Sequence, residues 1–544
     1  MGDAPLMLGV SGLRGIVGES LTLDLAVRYA QAFGGWVVDT YGDRSAVALA
    51  ADGRAGYEPL KQAVISGLLG SGLDVYDAGV QMTPTAGLAG QSLLHTSLGG
   101  KHVVAAGIIT ASHNPQEWNG IKWLISDQPE IPEYKGDGDP SIDEIMRMAV
   151  ESTREKMKEG TWNSFYAPSA STAGEIIDSY RKGASVKPLR ESRVIAVDNL
   201  ADSHIQQVSA GLRKIARLGL VNGNNCSGDL QTAIRELLVV VDSVNCSGGR
   251  ITELFAKDAG FRLVQLHGDN SGIFPHTPEP TEENLSGEGG LCDAVPGLKA
   301  DVGFAQDPDG DRLAIVDEKG GYIGEEYTLV LCAVSVLEAM KHQTPSDRSA
   351  ATSPVGDGGG EGVVLCANLS TSRMIDDVAA RYGASVVRTA VGEANVVEAM
   401  KKLKKQGKKV LLGGEGNGGV IWPEVTYVRD SLSSMALVLS LMARTGKTVS
   451  ELVADVPSYA IVKRKQPLAK KEDARPAIER LAAHYKSERV DTQDGVRVDF
   501  DSDRSWVHVR ASNTEPILRL IAEAPTQERA EAVLDEVQGL VDAG

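Results

Sequence analysis

Cysteine is scarce and scattered: the 544-residue chain has five, Cys226, Cys246, Cys292, Cys332 and Cys366, with no C-x-x-C pair. An odd, dispersed set argues against a disulfide framework or a zinc site and fits a reducing compartment. Long apolar runs are missing too. Nothing approaches the ~18 residues of a membrane span, and Ala436–Ala443 is too short. Met1–Val10 has no basic segment ahead of an apolar stretch, so no signal peptide is expected. Cationic excess is absent: 55 basic residues face 73 acidic ones, a net charge of −18. A field of that sign repels nucleic acid and anionic membranes, so neither is an expected partner, and an anionic substrate must be caught by local basic groups. A P-loop is absent as well. Gly446-Lys447-Thr448 has Leu441 where the first glycine would stand, which disfavours that mode of ATP use. The expectation is a cytoplasmic, soluble, multidomain protein.

What is present is ordinary globular material, 42% apolar and 24% charged, with 60 glycines for tight turns. At ~150 residues per domain the length suggests three or four domains. One pattern recurs three times: an apolar run, a polar turn, a helical stretch, a glycine and a second apolar run. The copies are Ala46–Gly79, Leu237–Gly268 and Gly362–Gly392. Short β-branched runs alternating with amphipathic helices predict βαβ units and sheets covered by helices. The C-terminal part differs. Asp494–Phe500 and Ser505–Ala511 alternate like half-buried strands, ILRLIAEA follows, and a helix is predicted from Thr526 to Val541. The predicted fold class is therefore α/β: three related α/β domains with mixed sheets plus a C-terminal α+β domain. Lys463–Glu472, Lys-rich with Pro467, reads as a connector; His342–Glu361 and Asp127–Pro140 read as exposed loops. The Lys401–Lys409 run reads as a solvated helix face.

Four stretches carry candidate chemistry. In GIITASHNPQEWNGIKW (Gly107–Trp123), Ser112 lies just past an apolar strand, where ligands bind in α/β sheets. It reads as a nucleophilic or phosphorylated serine with His113 and Lys122 near, or as a plain Ser/Asn turn with a capping role. In VGFAQDPDGDRLAIVDE (Val302–Glu318), Asp307, Asp309 and Asp311 crowd carboxylates that repel unless a cation joins them, and hard oxygen ligands suit Mg²⁺. An EF-hand fits the acids, but Arg312 stands where its glycine belongs and strands are predicted to flank the loop. An aspartyl-phosphate nucleophile at Asp307 and a solvated acidic turn remain open. In KKVLLGGEGNGGVIWP (Lys408–Pro423), the glycines match a dinucleotide fingerprint, but Val420-Ile421-Trp422-Pro423 cannot start the helix it needs. Glu415 and Asn417 could instead bind sugar hydroxyls; a plain β-turn is the alternative. In WVHVRASNTEPILRL (Trp506–Leu520), Arg510, Ser512, Asn513, Thr514 and Arg519 gather the donors a phosphate dianion needs, or form a capped turn with a surface arginine.

Together, from SGLRG (Ser11–Gly15) through PHTPEPTEENL (Pro275–Leu285) to RASNTEPILRL, these loops resemble the α-D-phosphohexomutase superfamily of phosphoglucomutases, phosphomannomutases and phosphoglucosamine mutases. The resemblance implies four domains around a central cleft, each giving one loop. Expected boundaries are 1–190 (phosphoserine loop), 191–322 (metal loop), 323–453 (sugar loop) and 454–544 (phosphate-binding domain). It implies a phosphoserine at Ser112 and Mg²⁺ held by Asp307, Asp309, Asp311 and the serine phosphate, with Arg312 next to them. Lys122 becomes a candidate general acid/base, and Arg14 a neighbour of the phosphoserine. The phosphate clamp falls on Arg510, Ser512, Asn513, Thr514 and Arg519.

Two departures bear on the substrate. Many members read G-E-x-S-G-H in the sugar loop, but here Asn417 replaces the serine and Gly419 the histidine. Glu393 stands where many carry histidine or aspartate, so a histidine proton-transfer role does not carry over. The G-E-G-N-G-G loop resembles archaeal-type variants assigned to glucosamine phosphate. The implied reaction moves a phosphoryl group between the C6 and C1 oxygens of a hexose phosphate through a hexose bisphosphate. Glucosamine 6-phosphate/1-phosphate is the first choice, with mannose or glucose phosphates as the alternative. A monomer or homodimer is expected. Two readings from other classes compete: a phosphatase with an Asp307 nucleophile, and a non-catalytic sugar-phosphate sensor.

Overall fold

The computed structural model describes residues 6–9, 12–93, 101–126, 175, 192–198, 200–218, 226–341, 362–512 and 516–542. The stretches read as exposed loops at 127–140 and 342–361 lie outside them. All three βαβ copies form, and in each the two strands pair in parallel: Ser45–Ala51 with Asp74–Val80, Leu238–Asp242 with Arg262–Leu266, and Val363–Asn368 with Ser385–Thr389. Ser45–Ala51 is buried along its whole length, as a central strand covered on both faces must be. The helices Leu23–Tyr41 and Tyr57–Gly70 pack closely because Gly67 has no side chain. A Cβ there would lie 2.5 Å from the Val27 carbonyl oxygen.

The sheets are mixed. The first has seven strands, in the order Leu6–Gly9, Gly12–Ile16, Trp118–Ile125, His102–Ile109, Ser45–Ala51, Asp74–Val80 and Val194–Ala196. The second runs Leu313–Val316, Val302–Gln306, Leu238–Asp242, Arg262–Leu266; the third runs Ser385–Thr389, Val363–Asn368, Lys409–Glu415, Gly419–Ile421. All three use the same device: one parallel strand turns back as an antiparallel hairpin. His102–Ile109 returns as Trp118–Ile125, Val302–Gln306 as Leu313–Val316, and Lys409–Glu415 as Gly419–Ile421. Each turn therefore sits at the carboxyl ends of the parallel strands, where open α/β sheets bind ligands. The second and third units share one apolar core, in which Phe304, Leu313, Leu365, Leu412 and Met435 are all buried.

The C-terminal unit is a five-stranded antiparallel sheet, in the order Ala460–Pro467, Ile517–Ala524, Ser505–Ala511, Val496–Phe500, Arg489–Asp491. The connector expected over Lys463–Glu472 is corrected here: its first half is the edge strand Ala460–Pro467. Lys463, Lys465 and Pro467 alternate on its exposed side, and an edge position tolerates both the lysines and the proline. One sheet face buries Val507, Val509, Leu518 and Leu520 against helices Ala474–His484 and Gln527–Asp542. The opposite face docks on the third unit through polar contacts. Arg497 donates to the Leu369 carbonyl, the Arg373 amide donates to Glu523 Oε1 at 2.9 Å, and His508 Nδ1 lies 2.8 Å from Ser370 Oγ. Among the described residues no helix is long and apolar enough to cross a membrane.

Candidate active site

The serine loop is held by a buried polar knot. Asp52 and Arg54, both fully buried, form an ion pair at 2.9 Å. Asp52 Oδ2 also accepts from Thr110 Oγ1 at 2.7 Å, and Thr110 Oγ1 accepts the Ser112 amide at 2.8 Å. Arg54 then donates to the carbonyls of Ser112 and, at 2.8 Å, of Trp118. This lattice fixes Ser112 at φ 51°, in the left-handed region, a conformation that needs such support in a residue other than glycine.

Ser112 Oγ donates to Asp307 Oδ2 at 2.9 Å. The other Asp307 oxygen accepts the amides of Asp311 and Arg312, each at 3.0 Å. Thr83 Oγ1 donates to Asp309 Oδ2 at 2.6 Å. One oxygen of each of Asp307, Asp309 and Asp311 lies within 4.8 Å of the others. Asp309 Oδ1 and Asp311 Oδ1 are buried with no hydrogen-bond partner. Burial and then the neighbouring carboxylates push the Asp307 and Asp309 pKa values up. Asp311 goes the other way: Arg429 and Lys122 outweigh its burial and hold it below the ordinary carboxylate range. Crowded, buried carboxylate oxygens without partners are what a hard divalent cation satisfies, so the residues present fit such an ion. Strands flank the loop, as the rejection of an EF-hand requires. All three α/β units clamp its backbone. Thr83 N donates to Asp309 O, Ser247 Oγ to Pro308 O, and Ser431 Oγ to Gly310 O, at 2.8, 2.7 and 2.7 Å.

Lys122 Nζ lies 3.1 Å from Glu393 Oε2 and 3.4 Å from Asp311 Oδ2. Burial opposes its charge, but the two carboxylates win and raise its pKa. Arg429 is the hub beside it. It donates to Asp311 Oδ2 at 2.5 Å and to Glu415 Oε2 at 2.8 Å, and its amide donates to Glu393 Oε1 at 2.9 Å. Glu415 Oε1 accepts Asn368 Nδ2 at 2.8 Å and the Gly392 amide at 3.0 Å. Glu415, expected to meet sugar hydroxyls, thus has both oxygens on protein partners here and organises Arg429. Asn417 Oδ1 caps its own turn by accepting the Gly419 amide at 3.2 Å. The sugar loop touches the metal loop directly, Leu313 N donating to Gly418 O at 3.1 Å.

The other expected residues line up as follows. Arg14 Nη1 donates to Asn114 Oδ1 at 3.3 Å; burial lowers its pKa, while Asp309 and Asp311 act the opposite way. His113 Nδ1 lies 3.3 Å from Ser112 Oγ. Burial, then Arg312 and Arg14, push its pKa down to about 2, so the ring is neutral. Arg312 Nη1 is 4.0 Å from Glu279, and its Nε is buried without a hydrogen-bond partner. In the C-terminal unit Arg510 pairs in register with Arg519, and Arg519 with Lys465. Like charges opposite one another destabilise a sheet, and an anion relieves them. Arg510 Nε is 3.8 Å from Asp494 Oδ2, which accepts the Val391 amide at 3.0 Å. Arg510 is thereby tied to the segment carrying Gly392 and Glu393. The Ser512 amide closes the turn onto Ile517 O at 3.0 Å. Asn513 and Thr514 lie outside the described residues.

Sequence reasoning missed Asp52, Arg54, Thr83, Thr110, Asn368 and Arg429. Arg429 had a readable signal: Arg429-Asp430 stands directly before the uncharged run Ser431–Ala443, an expensive place for charge without a partner.

Comparison with known proteins matches the four loops to four domain models in chain order. These are phosphoglucomutase/phosphomannomutase alpha/beta/alpha domain I over residues 5–145, domain II over 224–321, domain III over 327–459 and the C-terminal domain over 461–540. A Thermococcus kodakarensis protein named phosphoglucomutase/phosphomannomutase is 33% identical, covering 97% of each chain. A Methanopyrus kandleri protein named probable phosphoglucosamine mutase is 31% identical, covering 98% of this chain and 97% of its own. A crystal structure of a phosphoglucomutase/phosphomannomutase family protein from Burkholderia thailandensis shares the fold. Its TM-score is 0.68 at 24% identity, covering 99% of this chain and 98% of that one.

Proposed function

Since the chain belongs to the phosphoglucomutase/phosphomannomutase family, we propose that it interconverts glucosamine 6-phosphate and glucosamine 1-phosphate through phospho-Ser112 and a hexose bisphosphate. One observation carries the reading: Ser112 Oγ, on a rigid left-handed turn, points 2.9 Å from Asp307 amid carboxylate oxygens that lack partners. Asp307, Asp309 and Asp311 would hold Mg²⁺, which neutralises charge on the serine phosphate when bound.

Phosphoryl transfer asks mainly for in-line placement and electrostatic support. A sugar hydroxyl oxygen takes the phosphoryl group; the P–Oγ bond of phospho-Ser112 breaks and the new P–O bond forms. The hydroxyl loses a proton and Oγ gains one, so the proton count is unchanged. The Lys122 ammonium, between Glu393 and Asp311, is the group placed to pass a proton. Arg14 and Arg312 add positive charge beside the transferred group, and neutral His113 can donate or accept one hydrogen bond at Oγ. Arg510 and Arg519, with Ser512, Asn513 and Thr514, grip the phosphate that is not reacting. The bisphosphate turns over, and its other phosphate returns to Ser112. Asn417 and Glu415 shape the sugar side of the cleft. The preference for glucosamine is supported by the G-E-G-N-G-G loop and by the name of the Methanopyrus relative; the name of the Thermococcus relative favours glucose or mannose phosphates as the second reading. The aspartyl-phosphatase alternative is not supported. The four matching domain models and the relatives named above are those of mutases.

The test is a coupled assay with glucosamine-, glucose- and mannose-phosphates and a sugar bisphosphate activator. Glucosamine phosphate should give the highest kcat/KM, and Ser112→Ala should lose turnover by orders of magnitude. Phosphate label should appear on serine in acid-stable form. Near-normal turnover by Ser112→Ala, or label on an aspartate, would remove Ser112 from its role.

A further inference from the structure

A second cluster of ligating side chains lies in the second unit, outside the serine, metal and sugar loops. Asp242 ends the strand Leu238–Asp242, His267 follows the strand Arg262–Leu266, and His276 stands on the loop beyond. Asp242 is buried, while the two imidazoles are partly open to solvent. Asp242 Oδ2 lies 2.9 Å from His267 Nδ1 and 3.0 Å from His276 Nε2, and the three atoms fall within 4.8 Å of one another. We propose that Asp242 Oδ2, His267 Nδ1 and His276 Nε2 bind a divalent transition-metal ion of the zinc class, separate from the three-aspartate site.

Three observations support this. The spacing is close: nitrogen and oxygen ligands ~2.0–2.2 Å from one tetrahedral ion lie roughly 3.3–3.6 Å apart, so an ion would spread the 2.9 and 3.0 Å contacts by a few tenths of an ångström. The tautomer is right: His276 Nδ1 is 2.8 Å from the Thr277 carbonyl oxygen, which can only accept, so Nδ1 carries the hydrogen. That leaves the Nε2 lone pair facing a carboxylate oxygen 3.0 Å away, a position that either a proton or a metal cation fills. A backbone carbonyl fixing the remote nitrogen is the usual outer support of a metal-bound histidine. The carboxylate is also oriented from behind, its Oδ1 accepting the Val244 amide at 3.0 Å. Two imidazoles and one carboxylate suit zinc-class ions, whereas all-oxygen sets suit Mg²⁺.

The bound ion would pin the loop that backs the serine turn. Gln116, four residues past Ser112, donates to Gly272 O at 3.0 Å and accepts the Phe274 amide at 2.8 Å. The Arg54 guanidinium sits 5.2 Å over the Phe274 ring, and Gly272 packs so closely that a Cβ would lie 2.0 Å from Gly53 O.

The experiment uses the full-length protein, stripped with chelator and then given excess Mg²⁺ to fill the aspartate site. Co²⁺ is added with visible absorption as readout, and Zn²⁺ by calorimetry. One equivalent should bind despite the Mg²⁺, and X-ray absorption should show two imidazoles on the ion. His276→Gln and His267→Gly, the second compatible with φ 46° at that position, should each weaken binding by at least the ~10–100-fold that loss of an outer hydrogen-bond partner costs such sites. Asp309→Ala should leave this equivalent in place. If one histidine variant fails to fold, the other decides. No ion bound beyond what Mg²⁺ displaces, or binding unchanged in the folded variants, overturns the proposal and makes the cluster an imidazolium–carboxylate group.

Discussion

Acidification should loosen the C-terminal unit, and His508 sets how far. Its ring is fully buried between the third and fourth units. Nε2 lies 2.7 Å from the Asp494 carbonyl oxygen and Nδ1 2.8 Å from Ser370 Oγ, so the neutral ring donates to the first and accepts from the second. Burial pushes its pKa down to about 4; Arg497 and Arg510 add to that, and the contact with Asp494 works against it. The sign follows. An undocked His508 would titrate near ~6.5, so as pH falls from there toward 4 the undocked state takes up a proton that the docked state refuses. Docking is fully stable above that window and weakens within it. At pH 5 the linkage is worth roughly 2 kcal/mol, or about 30-fold more of the undocked state than at pH 7.5. Hydrogen exchange of the strand amides in Ser505–Ala511 and of the 369–373 segment, corrected for intrinsic pH dependence, measures it. Glutamine at 508 can keep both hydrogen bonds without titrating, so His508→Gln should flatten the response to under about 3-fold. A wild-type change that small, or an unaltered pH slope in His508→Gln, refutes the reasoning.

Arg429→Met strands Asp311, Glu393 and Glu415, and breaking a buried pair costs ~3–5 kcal/mol. It should lower the thermal midpoint in a melting scan and cripple turnover, with Arg429→Lys only partly restoring either. Asp309→Asn removes one of three clustered carboxylates, so the Mg²⁺ concentration for half-maximal activity should rise at least tenfold in a metal titration, about 1.4 kcal/mol. Gly418→Ala places a Cβ 2.5 Å from the Leu313 carbonyl at φ 80°. That costs ~1–2 kcal/mol for the backbone alone, and sugar-phosphate KM should rise more than kcat falls. Arg54→Met should destabilise the protein more than the Asp52→Asn/Arg54→Met pair, because the single change leaves Asp52 as an unpaired buried charge; denaturant midpoints would show it.

The elements were legible where a period marks them. The three βαβ copies and the strand Ser505–Ala511 form as their patterns say. The edge strand Ala460–Pro467 was misread because lysines and a proline look like a linker until the neighbouring strand is known to lie on one side only. The candidate site residues stood out because each loop concentrates them within a few positions. Their supports did not: Thr83 and Asp309 are 226 positions apart, Lys122 and Glu393 are 271. No local spacing announces such a pair. Glu415 shows the same limit: long-range folding brings Arg429 and Asn368 onto its oxygens, which its own loop does not announce.

The twist of the main chain at Ser112 also bears on which hydroxyl amino acid can occupy that point. A β-branched side chain is a genuine outlier at positive φ, so threonine, although it offers the same oxygen, would pit its methyl group against the very backbone that aims it. Serine is the one alcohol this corner accommodates without distorting the knot beneath it.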